Sequence, residues 1–246
     1  MRKALFLIAS CAYWTGVSAG NVQIQVLDRD GTPVPDAVVV AYPASTAGAG
    51  PRLLPASATI EQEKMRFVPA VTVVAPGSTV RFTNQDRWDH HVRGNASGAA
   101  AVAAAESVGS GFELRLAGKK DGTAASFAEV LLDKPGAVLL GCHLHSSMRG
   151  HVFVSDSAWA LKTDGDGIAR FANVPEGAAQ VRVWHGEQLL DLPRQPLQVL
   201  PGPVLGTLQL SVVPRRRRAL PVKAADAGAA PVAALHSTAA MALPHR

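Results

Sequence analysis

The 246-residue sequence predicts an all-β protein: one β-sandwich, a second small β-sandwich that is discontinuous in the chain, and a disordered C-terminal tail. Three observations carry that prediction. Apolar and polar residues alternate along short runs such as "NVQIQVL", and Gly and Pro turns interrupt those runs at short intervals. A composition of 48% apolar and 17% charged residues belongs to a chain that buries a core.

Residues 1–19 read as a signal peptide: Arg2 and Lys3, an apolar stretch from Ala4 to Val17, and the small-residue exit Val17-Ser18-Ala19. The stretch is short for a membrane span, and no basic flank follows it. Ile8-Ala9-Ser10-Cys11 is similar to a lipobox, but only Ala4 to Ile8 would remain as its apolar core. Cleavage after Ala19 is therefore expected, with export to the periplasm or the medium.

Residues 20–57 give two strands around a turn at Asp30-Gly31 and Pro33, then an Ala/Gly/Ser/Pro-rich linker from 44 to 57. Residues 58–155 begin with three short strands in "MRFVPAVTVVAPGSTVRFTNQD", broken at Pro69 and Pro76-Gly77. An Ala-rich loop insertion, "ASGAAAVAAAESVGSG", follows. "FELRL" and "AVLLG" then read as strands flanking a polar connection, and "HVFV" as another. Residues 156–213 form a small antiparallel unit that turns at Asp164-Gly165-Asp166-Gly167 and Pro175-Glu176-Gly177. Residues 214–246 lose periodicity and read as a solvated tail.

The formal charge of +5 lies at the chain ends. Residues 214–246 carry six Lys or Arg against Asp226 alone, while residues 20–213 hold 16 basic and 18 acidic residues. A body so balanced is not a nucleic-acid-binding surface. The Arg215–Arg218 run offers a solvated tail before it offers a membrane or acidic-partner contact.

Removal of the leader takes Cys11 with it and leaves Cys142 as a lone thiol in an oxidising compartment. Its surroundings, "LLGCHLHSSMRGHVFV", place Cys142, His145 and Met148 at CxxHxxM spacing. One loop then directs a thiolate, an imidazole and a thioether at a common point, and soft sulfur with imidazole suits copper. A second imidazole is supplied by "VRFTNQDRWDHHV", where either His90 or His91 completes the set. His143, vicinal to Cys142, would point away from it on an extended strand. His151 is expected on an exposed strand, and His185 on a sheet surface beside Trp184. Zinc fits less well, since a structural zinc site gains little from a thioether. Asp164 and Asp166 lack the acidic residue that a calcium loop requires and read as a hairpin turn.

Through "GSTVRFTNQD", "HHV", "PGAVLLGCHLHSSMRG" and "VFV", residues 58–155 resemble the cupredoxins, especially the amicyanin and plastocyanin-like branch and bacterial proteins labelled methylamine-utilisation. The resemblance implies a Greek-key sandwich holding one type 1 copper ion through His90, Cys142, His145 and Met148. It places His91 where the family usually has an Asn that helps fix the copper loop, and Leu140 where an aromatic residue is frequent. The hairpin "LDRDGTPVPDAVVVAY" and the segment "KTDGDGIARFANVPEGAAQVRVWH" each resemble half of a carboxypeptidase-regulatory-like sandwich, so the copper domain reads as an insertion into it.

The function implied is a single-copper electron carrier between protein redox partners, monomeric and without a membrane span. The alternatives are a copper carrier or chaperone that does not cycle redox state, and an interaction module whose site has decayed. An enzyme is not expected: the only HxH is His143-Leu144-His145, inside the same loop, and no nucleophile-base pair or phosphate loop stands elsewhere.

Overall fold

The computed structural model describes residues 19–45, 54–97 and 111–215. The expected signal peptide up to Ser18, the central linker residues, most of the Ala-rich insertion and the tail beyond Arg215 lie outside the described residues. Sixteen strands and no helix occur among those described. Chain order begins with β1 (Ala19–Leu27) and β2 (Val38–Pro43). A central block follows: β3 (Ser57–Gln62), β4 (Phe67–Val68), β5 (Val71–Val74), β6 (Ser78–Asn84), β7 (His90–Ser97), β8 (Phe112–Leu116), β9 (Phe127–Leu132), β10 (Gly136–Cys142) and β11 (Arg149–Val154). The last five are β12 (Trp159–Lys162), β13 (Ile168–Pro175), β14 (Gly177–Trp184), β15 (Gln195–Val199) and β16 (Pro203–Gln209).

The strands form four sheets. In the flanking sandwich the order β13-β1-β16 faces β12-β2-β14-β15, and in the central sandwich β5-β11-β10-β7-β8 faces β4-β3-β6-β9. The hairpin left over in the sequence finds its partners far along the chain. Ile24 of β1 lies opposite Ala169 of β13, and Val39 of β2 lies between Leu161 of β12 and Val183 of β14. The flanking sandwich is therefore discontinuous, with the central block inserted between β2 and β12.

The alternation in β1 buries Val22, Ile24 and Val26 and turns Gln23 and Gln25 outward. β2 does not alternate. Its Val-Val-Val-Ala run is buried on both faces: Val39 and Ala41 enter the flanking core, while Val38 and Val40 enter a cluster with Val71, Ala137, Phe153, Ala160 and Trp184. That cluster joins the two sandwiches, and a strand with two covered faces needs a continuous apolar run. Burial of Phe153 alone in this joint contributes on the order of 2 kcal/mol.

The structure corrects the sequence reading in three places. β9 occupies the connection read as polar; it is an edge strand bonded only to β6, and its outer residues Phe127, Glu129 and Leu131 face solvent. The unit after residue 156 is not purely antiparallel, because β16 runs parallel to β1 from Asn21↔Pro203 to Leu27↔Gln209. His151 is not exposed: it is buried in the joint, edge-on to Trp184 at 5.1 Å. Its strand, β11, has both faces covered, which a single sandwich would not require.

Candidate metal centre

The antiparallel register of β7 and β10 sets Cys142 opposite Val92, two residues from His90. Period-2 alternation then turns His90, Val92, Leu140 and Cys142 into the central core and His91, Arg93, Leu139 and Gly141 to the other face. His90 opens β7, Cys142 closes β10, and His145 stands in the loop between β10 and β11. Met148 N–H donates to the His145 carbonyl at 3.0 Å and closes that loop.

Three donor atoms converge here. Cys142 Sγ lies 3.6 Å from Nδ1 of His90 and 3.6 Å from Nδ1 of His145, and the two nitrogens are 3.1 Å apart. A triangle of those sides has an internal point about 2.0 Å from each corner, the length of a metal–imidazole bond. Lone pairs from two imidazoles and a sulfur are thus presented to one ion-sized point, and a bound cation satisfies all three together. His90 and Cys142 are buried and His145 is half-buried. Met148, only 1% exposed, packs in the same core cluster as Cys142. Of the two vicinal histidines, His90 is brought to the centre. His91 bonds Glu113 at 3.0 Å on the outer face of the sheet, and His143 is exposed there beside it.

Asp86 was not singled out from the sequence. Its Oδ2 accepts a hydrogen bond from His90 Nε2–H at 2.9 Å, which leaves Nδ1 free to face the centre. The carboxylate is fixed from behind: Lys64 N–H donates to Oδ1 at 2.6 Å and Met65 N–H to Oδ2 at 2.9 Å. Those two residues sit in a two-residue turn between β3 and β4 with φ of 52° and 57°, a left-handed conformation that costs roughly 1 kcal/mol or more for each side chain. Glycine would adopt it without that cost. The two amides it aims at Asp86 supply the compensating bonds.

Asn84 completes the frame. Its side-chain amide donates to the carbonyls of Trp88, Leu116 and Ala117, and its Oδ1 accepts from Asp86 N–H at 2.9 Å. One buried residue thereby fixes the 85–89 loop that delivers His90. The signal for Asp86 was an acidic residue four before a histidine, but Asp89 lies in the same loop and bonds Gly118 N–H instead. Only the folded chain separates the two.

Residues 55–155 match the family model described as copper binding proteins, plastocyanin/azurin family. No curated protein sequence matches the chain. Among solved structures, amicyanin from Paracoccus versutus is 20% identical over 40% of this chain and 81% of its own, with a TM-score of 0.28. Plastocyanin from Dryopteris crassirhizoma is 20% identical over 39% and 99%, with a TM-score of 0.29. Auracyanin A, a blue copper protein from Chloroflexus aurantiacus, is 22% identical over 40% and 98%, with a TM-score of 0.30.

Proposed function

We propose, from the match of residues 55–155 to the family model of copper binding proteins of the plastocyanin/azurin family, that the protein is an exported type 1 copper protein that passes single electrons between protein redox partners. His90, Cys142 and His145 would hold the ion strongly and Met148 would hold it weakly. The observation that carries this reading is the convergence of two Nδ1 atoms and one sulfur on a single point. Two imidazoles, a thiolate and a long thioether are the donor set of blue-copper electron transfer.

A copper ion bound there supplies a one-electron Cu(II)/Cu(I) couple. The protein's part is to hold the donors still while charge changes. Asp86 fixes the ring of His90, the β7–β10 register fixes Cys142, and the 3.0 Å bond from Met148 N–H to the His145 carbonyl fixes the loop. Donors held this way move little between oxidation states, which keeps the reorganisation cost low. Burial of His90, Cys142 and Met148 keeps water from the metal side of the site.

Half-exposed His145 is the electron port. Exposed apolar residues stand on each loop that builds this end: Met65 after β3, Trp88 before His90 and Leu144 before His145. Such a rim suits brief contact with another protein. No helix among the described residues is long and apolar enough to cross a membrane.

Loading the purified chain with Cu(II) and recording its visible spectrum tests the reading. An intense thiolate-to-copper charge-transfer band is expected. A pale spectrum typical of nitrogen and oxygen ligands alone would overturn it.

A further inference from the structure

The joint between the two sandwiches is filled by apolar side chains at its middle and open at one margin. There the start of β10, the end of β11 and the β14–β15 connection enclose a cavity of about 210 Å³. It lies at the other end of β10 from Cys142 and shares no residue with the metal centre. Ala137, Phe153 and Trp184 give it an apolar wall, and Asp156, Arg182 and Asp191 give it charge. Clefts for drug-sized molecules hold roughly 300–1,000 Å³, so an occupant of this one is small.

Arg182 is the residue out of place. Val181 and Val183 on either side of it enter the flanking core, so period-2 alternation turns Arg182, like Trp184, toward the joint. Its guanidinium stands 5.7 Å from the Phe153 ring and 5.9 Å from the Tyr42 ring. Its Nε is buried and has no hydrogen-bond partner among the described residues. A guanidinium nitrogen buried in that way costs stability, which a bound acceptor restores. Asp156 does not meet the need. Its Oδ1 accepts the Tyr42 hydroxyl at 2.7 Å and stays 4.0 Å from Arg182 Nη2, while its Oδ2 faces Arg194 at 3.8 Å. One carboxylate between two guanidinium groups leaves a positive charge over.

Asp191 is the opposite case. Among the described residues it has neither a hydrogen bond nor an ion pair. Its loop is nonetheless held, because Gln188 Nε2 donates to the Leu190 carbonyl at 3.1 Å and to Ser211 Oγ at 2.7 Å. The cavity thus sets an unmatched cation and an unmatched carboxylate beside an aromatic wall. A simple anion is repelled by Asp191 and a simple cation by Arg182, whereas a molecule carrying both charges finds a partner for each.

We propose that this cavity binds a small zwitterion with one carboxylate and one ammonium group, of the amino-acid class. The carboxylate pairs with Arg182 through Nε and Nη2, the ammonium pairs with Asp191, and the carbon chain packs on Trp184 and Phe153. The proposal does not draw on the electron-carrier reading.

The test is an amide NMR titration of the full-length chain with leucine and with 5-aminopentanoate, zwitterions whose charges stand close together and far apart. Each is compared with the fatty acid that lacks its ammonium and the alkylamine that lacks its carboxylate. Saturable shifts at Ala137, Trp184 and Asp191 are expected with at least one zwitterion, its midpoint roughly tenfold or more below those of both its analogues. Asp191→Asn should erase the preference over the fatty acid, and Arg182→Gln the preference over the amine. Asp191 is exposed, so its variant keeps the fold and decides the matter even where Arg182→Gln does not fold. Three results would overturn the proposal: an analogue that binds as tightly as its zwitterion, zwitterion binding unchanged in Asp191→Asn, or no saturable shift at these amides with either zwitterion.

Discussion

The two sandwiches are built from the same kind of strand but spend their interiors differently. The flanking core is mostly apolar, from Val22, Ile24 and Val26 to Phe171, Val181 and Leu208, with Asp28, Thr163 and Gln188 buried in the connections after its strands. The central core is apolar at one end, around Val74, Val80 and Val154, and at the other carries His90, Cys142, Met148, Gln62, Asn84 and Asp86, all buried. Each buried polar group there must be bonded or it destabilises the fold. Asn84 and Asp86 meet that demand through seven hydrogen bonds between them, one of which they share, and the same bonds aim His90. The comparison teaches that the flanking sandwich contributes stability, while the central one uses part of its own to hold His90 in place.

Four substitutions break or sharpen that contrast. The largest effect falls at the metal centre: Cys142→Ser should abolish the charge-transfer band entirely, and a band that persists would show that another sulfur is the ligand. Next, Phe171→Ala in the flanking core should cost about 3–5 kcal/mol in denaturant unfolding. The position of the visible band should stay unchanged, because the ligands stand in the other sandwich. A displaced band would mean that the two interiors are not separable.

Asp86→Ala should weaken copper binding roughly ten- to hundredfold, measured by competition with a chelator, because His90 loses the group that fixes its ring. Unimpaired affinity would reduce Asp86 to a packing residue. Smaller again is Tyr42→Phe at the edge of the joint, where the hydroxyl donates to Asp156 Oδ1 at 2.7 Å. Its loss should cost about 1 kcal/mol.

Tyr42 also makes a pH prediction. Burial, with the bond to Asp156, pushes its pKa from 10.0 up to about 12. The folded state therefore holds the phenolic proton more tightly than the unfolded one. The contribution is fully present below pH 10 and is lost as pH rises toward 12. Unfolding midpoints followed between pH 9 and 12 should fall less steeply in Tyr42→Phe than in the parent chain.

Much of the centre was legible before folding. Cys142, His145 and Met148 lie in one loop, and their spacing is itself the signal. His90 and His91 were not separable by residue type; strand phase decided between them, since a one-residue step along β7 reverses the face. Asp86 escaped notice because its role depends on two amides from a turn 21 and 22 residues earlier. β9 escaped because an edge strand that is half exposed has the composition of a loop.

By itself the sequence determined the all-β class, the leftover hairpin that had to find a distant partner, and the cluster of soft side chains proposed as donors. These are properties of local pattern and side-chain chemistry, which are written in order along the chain. Tertiary structure alone decided that His151 is buried, that Asp86 and not Asp89 bonds the ring of His90, and that Arg93 and Arg149 flank Gly141. Each depends on which faces of two sheets are covered. Coverage is set by strands that meet from more than a hundred residues apart, such as β2 with β12 and β14, and no local pattern carries that information.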